Sequence, residues 1–167
     1  ETPHAAVPFL DFCLDDESPK VRMVAASALA QRIAQLSEED ALRSEETDKF
    51  VDLLEDPSFR KTGAAAIALG EIARMGIKVP DRGVQKLMAL TDVVEEDVGA
   101  SAMTALGHLA MSGSSPPEDL ELKLYHTLQS RLGRRVKTHG NLRAAAASTL
   151  GQLASAGMEL HKDVIKE

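Results

Sequence analysis

The chain has 167 residues, a length typical of one domain, and 44% of them are hydrophobic, which is enough for a continuous core. Only 3% are aromatic and there is no Trp, so the core must consist of Ala, Leu, Val, Ile and Met. This composition favours helices over a sheet and predicts an all-α fold. The net charge of -7 argues against a general nucleic-acid binder, which normally carries a basic surface.

The single cysteine, Cys13, excludes an intrachain disulfide and a multi-cysteine metal site, and its place on an apolar helix face predicts a core residue. No apolar run approaches the roughly 20 residues that cross a bilayer, and no signal-peptide pattern follows Glu1. We therefore expect a cytoplasmic protein without membrane association. A first residue other than Met suggests a fragment of a longer chain.

The first part of the chain predicts two pairs of helices. Apolar residues at helical spacing indicate helices from His4 to Leu14 and from Val21 to Leu36, with turn formers between them. The third helix starts from a capping-box pattern at 37–40, and a second start signal at 44–47 suggests a break near Arg43. The fourth predicted helix runs from Lys61 to Met75, where Gly76 ends it.

The second part of the chain repeats this arrangement. Pro80 opens a fifth helix, and its partner runs from about Glu95 to Met111. Leucines at 120–132 indicate a seventh helix, and the eighth covers Asn141–Ala156. Apolar residues at 160–165 predict the first helix of a further pair.

The second helices of these pairs share one ten-residue pattern. Val21–Ala30 recurs at Lys61–Gly70, Val98–Gly107 and Leu142–Gly151, at offsets of 40, 37 and 44 residues. A period of this size is typical of helical repeat arrays. The alignment places one leucine of each copy at an equivalent core position: Leu29, Leu69, Leu106 and Leu150.

The pattern Asp-x4-Val-Arg-x2-Ala-Ala-x-Ala-Leu-Gly resembles the second-helix signature of HEAT repeats. The first copy carries it at Asp16, Val21, Arg22, Ala25, Ala26, Ala28 and Leu29. The Arg position departs from the family pattern at Thr62 and Gly99, which leaves the usual Asp/Arg ladder incomplete in the middle copies. The resemblance implies a right-handed α-solenoid of about four HEAT-like helix pairs plus the start of a fifth. A single domain at 1–167 would hold repeats at 4–36, 37–76, 79–112 and 115–157, with 158–167 opening a truncated fifth.

A ridge of mostly small residues follows from the same alignment. Glycine inside a helix costs about 1 kcal/mol relative to Ala, so its recurrence at one repeat position requires a compensating role. Close packing of neighbouring second helices would supply that role. The ridge comprises Ala26, Ala30 and Ile33, Ala66, Gly70 and Ala73, Met103, Gly107 and Ala110, and Ala147, Gly151 and Ala154.

The face of the second helices turned away from the core is the first candidate binding surface. In HEAT-like arrays these helices line the concave side, so the resemblance implies a strip for an extended peptide or a partner helix, with Met23 and Ile67 as apolar anchors. The strip comprises Met23, Ser27 and Gln31, Gly63, Ile67 and Glu71, Ala100, Thr104 and His108, and Ala144, Ser148 and Gln152. Its members other than Gly63, Ala100 and Ala144 are the partner-binding candidates. An ordinary solvated face is the alternative.

A basic cluster late in the chain is the second candidate. The cations are Arg131, Arg134, Arg135, Lys137 and Arg143, with no acid between Glu121 and Glu159. Arginine forks offer bidentate contacts to an acidic or phosphorylated partner segment. Favourable interaction with a helix C-terminus, or with acids of neighbouring repeats, explains the same charges without a partner.

Motifs that carry catalysis or bind metal were sought without success. The sequence has no nucleophile elbow, phosphate-binding loop or His-Glu-x2-His, and His108 has no His, Cys or carboxylate three or four residues after it. We therefore predict no catalytic residue, cofactor or metal. The predicted function is a non-catalytic scaffold or adaptor for an unidentified protein partner. Two alternatives stay open: a HEAT-like nucleic-acid-binding module and a lyase-type HEAT protein that handles a tetrapyrrole.

Overall fold

The computed structural model describes residues 6–37, 41–113, 117, 119–129 and 140–158, and within these it contains eight helices and no strand. The all-α prediction is confirmed. The helices are α1 (Val7–Cys13), α2 (Pro19–Gln35), α3 (Ala41–Leu53), α4 (Phe59–Arg74), α5 (Asp81–Leu90), α6 (Glu96–Met111), α7 (Leu120–Gln129) and α8 (Gly140–Ser155).

The helices are arranged as a stack of pairs. The main contacts run from α2 to α4, from α4 to α6 and from α6 to α8, while each first helix packs on the second helix that follows it. One hydrophobic core therefore continues along the stack instead of closing around a centre. This is the α-solenoid expected from the repeat pattern.

Equivalent hydrogen bonds connect the first turns of α2 and α4 to the turns that precede them. Arg22 Nη1 donates a hydrogen bond to the backbone carbonyl of Asp16, at 2.8 Å. In the next copy Thr62 Oγ1 donates to the carbonyl of Asp56, at 3.1 Å. The threonine hydroxyl thus makes the equivalent contact to the preceding turn, although Thr62 departs from the family pattern.

The aligned leucines confirm the register in three of the four copies. Leu29, Leu69 and Leu106 are fully buried, and the ridge residues of α2, α4 and α6 are buried with them. The prediction is wrong for the fourth copy, where Leu150 is half-buried and the α8 ridge residues are exposed. The physical reason is that α8 packs on α6 and α7 and, within the described chain, no further helix covers its outer side.

Three predicted helix boundaries can be compared with the structure: the ends of α4 and α8 and the break in α3. Gly76 and Gly157 follow α4 and α8 with φ of 78° and 81°, a left-handed conformation that favours glycine and ends a helix. The break expected near Arg43 is wrong, because α3 runs through it without interruption. Residues 38–40 and 159–167, which include part of the capping box and the predicted fifth pair, lie outside the described residues.

The N-terminus of α8 is capped by the preceding repeat. Glu96 Oε1 accepts hydrogen bonds from the backbone N–H groups of Asn141, at 3.0 Å, and Leu142, at 3.2 Å. The Glu96 carboxylate thus satisfies two of the N–H groups that every helix start leaves without an intrahelical acceptor.

We expect Glu96→Ala to lower the free energy of unfolding by about 1 kcal/mol, the usual cost of losing a helix cap. Urea denaturation measures the change. Glu95→Ala is the control, because Glu95 is the N-cap residue of α6 and its side chain makes no cap hydrogen bond. Equal stability of the two variants would contradict capping by Glu96.

Candidate partner-binding groove

A groove of 610 Å³ crosses the faces of α2, α4, α6 and α8, and we call it the second-helix groove. Each of these helices contributes side chains at the same repeat positions, because the helices stack in register. The structure brings most of the predicted strip together here. The predicted candidates that line the groove are Met23, Ser27, Ile67, Glu71, Thr104, His108 and Ser148.

Two predicted members of the strip do not line this groove. Gln31 is exposed on α2 and does not contribute to the groove lining. Gln152 is half-buried, and its Oε1 occupies the space beside Gly107 where a β-carbon would lie, 1.9 Å from that position. That oxygen is buried and has no hydrogen-bond partner in the described part of the chain. The absence of a side chain at Gly107 explains why Gln152 lies against α6.

The basic cluster cannot be placed in the same way. Arg131, Arg134, Arg135 and Lys137 lie outside the described residues. Arg143 is exposed in the first turn of α8 and does not line the second-helix groove. An acidic partner for this cluster remains a prediction.

The sequence-based strip missed one row of the groove. Pro19, Phe59, Asp97 and Asn141 line it one helical turn before the predicted positions. Phe59 is 54% exposed, a large apolar surface to leave in water. Its number is that of Pro19 plus the 40-residue offset, so extending the strip by one turn would have found it.

The groove has an apolar part and a polar part. On α2 and α4 the large apolar side chains are Met23, which is 48% exposed, Phe59 and the half-buried Ile67. On α6 and α8 the lining side chains include Thr104 and Ser148. An exposed apolar cluster with polar neighbours is a feature of protein interaction sites.

Charged groups in the groove are engaged by neighbouring residues. Glu71 forms an ion pair with Arg74 at 2.7 Å, and Arg22 donates to backbone carbonyls at the start of α2. Asp97 Oδ1 accepts a long hydrogen bond from the Asn141 amide, at 3.4 Å. These charged groups of the groove therefore already have partners within the chain.

His108 also lines the groove, at the last turn of α6. Its Nδ1 is buried without a hydrogen-bond partner among the described residues, because it lies against α4 at Gly70. A β-carbon at Gly70 would be 3.3 Å from this nitrogen. Among the residues that the structure describes, no three His, Cys, Asp or Glu side chains form a metal-binding group.

A second cleft, of 530 Å³, includes residues of α1 and α3. Burial, and then the neighbouring Glu46 carboxylate, raise the pKa of Asp11, while Lys49 and Arg32 act in the opposite direction. Glu46 already forms ion pairs with Arg32, at 3.3 Å, and with Lys49, at 3.0 Å. Because Arg32 and Lys49 already pair with Glu46, this cleft is a weaker candidate than the second-helix groove.

No helix in the described residues combines the length and the apolar character that crossing a membrane requires.

Comparison with known proteins supports the repeat assignment. The family model described as HEAT repeat matches residues 6–31, which cover α1 and most of α2. A search of curated proteins found no match. The solved structures that resemble the chain include two engineered proteins from the Northeast Structural Genomics Consortium.

The first of these engineered proteins is 19% identical, with a TM-score of 0.53, over 90% of this chain and 68% of its own. The second is 21% identical, with a TM-score of 0.49, over 90% and 69%. At such identity the first shows a shared fold only. The match at residues 6–31 shows a HEAT repeat in the first helix pair, and the later pairs repeat the same sequence pattern along the stack.

Proposed function

We propose that the chain is a non-catalytic protein-binding scaffold whose second-helix groove holds a segment of a partner protein. The observation that carries this proposal is the pair of exposed apolar side chains, Met23 and Phe59, in the same groove as the half-buried Ile67. Solvent exposure of such side chains is unfavourable at about 25 cal/mol per Å² of apolar area. Contact with a partner would remove this area from water.

The dimensions of the groove support a single segment as the occupant. Adjacent packed helices lie about 8 to 10 Å apart, so four second helices span roughly 24 to 30 Å. An extended chain advances about 3.3 Å per residue, and eight or nine residues would cover that distance. An extended segment of that length would contact all four helices at once, and small residues that line the groove, among them Gly63, Ala100 and Ala144, leave room for its side chains.

A displayed library of random twelve-residue peptides supplies a probe for this proposal. Peptides are selected on the 167-residue chain, and one enriched peptide is synthesised with a fluorescent label. Met23→Glu should weaken its binding at least about tenfold, because a carboxylate would replace an apolar contact of the kind that dominates interfaces. Fluorescence anisotropy measures the dissociation constant.

Leu122→Glu is the matched control. Leu122 is 49% exposed, nearly the same as Met23, but it lies on α7 and does not line the groove. Binding should be unchanged in this variant. If Met23→Glu and Phe59→Glu bind the peptide as tightly as Leu122→Glu does, the groove is not the binding surface.

A further inference from the structure

The outer face of α8 has no covering helix in the described chain, although the equivalent faces of α4 and α6 are covered. Gly70 of α4 lies against Ala105 of α6. Gly107 of α6 lies against Gln152 of α8. Gly151 occupies the same repeat position on α8, but it is exposed, and a β-carbon added there would have no described atom within 4 Å. The face of α8 at Gly151 is therefore of the kind that receives another second helix in the two preceding pairs.

At the other end of the stack, α2 exposes the face that makes such contacts in α6 and α8. The residues of α6 and α8 that lie against glycines of the preceding second helix include Val98, Ala105 and Gln152. The repeat offsets place the same residue types on α2, at Val21, Ala28 and Gln31. Val98 is 2% exposed, whereas Val21 is 38% exposed, and Gln31 is exposed where Gln152 is half-buried. The first pair thus carries the residues of this contact without a helix for them to cover.

The first helices show the same difference between the end and the interior of the stack. Lys86 of α5 and Lys123 of α7 each donate a hydrogen bond to a backbone carbonyl of the preceding first helix, at 3.3 and 3.4 Å. The offsets of 40 and 37 residues place Phe9 of α1 at the position of Lys86. Phe9 is 74% exposed. A large apolar side chain therefore adds to the exposed face of α2 at this end of the stack.

We propose that these two ends bind each other, so that α2 of one copy of the chain packs on α8 of a second copy as α8 packs on α6. In this contact Gln31 lies against Gly151 as Gln152 lies against Gly107 within the chain. The occupant is a second copy because α2 has the residue types that cover the equivalent faces of α4 and α6. The contact joins two different surfaces, so it is heterologous and can continue into longer assemblies. It does not depend on the proposed function of the groove.

Sedimentation velocity of the 167-residue chain, recorded over a wide range of concentrations, tests the proposal. The wild type should form dimers and longer species as its concentration rises. Gly151→Met should block the α8 end, because its side chain would fill the space that receives Gln31. Val24→Glu should block the α2 end, because it places a carboxylate at an exposed position whose equivalents, Ala64 and Ala145, are buried. Each variant alone should self-associate at least about tenfold more weakly, the effect typical of a change at the centre of an interface.

A mixture of the two variants distinguishes a head-to-tail contact from a symmetric one. Gly151→Met keeps an intact α2 end and Val24→Glu keeps an intact α8 end, so together they should form a dimer with one copy of each and nothing larger. Val94→Glu is the matched control, since Val94 is an exposed valine between α5 and α6, away from both ends. It should self-associate as the wild type does. Gln31→Trp, at another exposed position of the α2 face, replaces Val24→Glu if circular dichroism shows that Val24→Glu has lost helix.

Three results would overturn this self-association. They are a wild-type chain that stays monomeric at every concentration, a folded variant of either end that self-associates as strongly as the wild type, and a mixture of folded variants that forms no dimer. None of these results concerns peptide binding in the second-helix groove, which Met23→Glu tests separately. The two proposals can therefore fail independently.

Discussion

Leu106→Ala should lower the free energy of unfolding by about 2 to 5 kcal/mol, the range measured for buried leucines. Leu106 is completely buried in α6, and α6 contacts both α4 and α8, so the cavity would open in the middle of the stack. Chemical denaturation of the purified chain measures the change. Leu122→Ala is the control, because its side chain is about half exposed on α7. Similar losses in the two variants would contradict the shared core position of the aligned leucines.

Gly70→Ala should destabilise the protein by about 1 to 3 kcal/mol, the usual cost of overpacking. Helix propensity alone predicts the opposite sign, because Ala favours a helix over Gly by about 1 kcal/mol. The geometry decides between these effects. A β-carbon at Gly70 would lie 2.9 Å from the Cα of Ala105, and a backbone atom cannot move aside as a flexible side chain can. The substitution must therefore separate α4 from α6.

Gly151→Ala is the matched control for this prediction. Gly151 occupies the same repeat position on α8 and is exposed, and a β-carbon added there would have no described atom within 4 Å. This variant should be as stable as the wild type or more so. Comparison of the two urea midpoints gives the sign directly. A stabilising Gly70→Ala would mean that α4 and α6 do not approach as closely as the structure indicates.

The fold was predictable because the helix-pair pattern recurs. Leu29, Leu69 and Leu106 align at one position of the repeat. Each is buried because neighbouring helices pack on the helix that carries it. The same pattern at Leu150 gave the wrong burial. Burial there depends on a neighbour beyond α8, and the residues of α8 carry no information about whether that neighbour is present.

The candidate site was predictable in its general position but not in its extent. Helical periodicity identified Met23, Ile67 and Thr104 as one face, and they do line one groove. Phe59 was missed because the sequence pattern predicted that this helix begins at Lys61, whereas α4 begins at Phe59. Contacts between repeats, such as that of Glu96 with Asn141, depend on how the stack brings loops together, and spacing along one chain does not reveal them.

The central claim is that a partner segment binds in the second-helix groove. Backbone amide chemical shifts of the isotope-labelled chain, recorded during titration with the selected peptide, test it most directly. We expect the largest shift changes at Met23, Gly63, Ile67 and Thr104, with little change at Leu122 on α7. Shift changes concentrated on α5 and α7, with the groove residues unaffected, would contradict the claim.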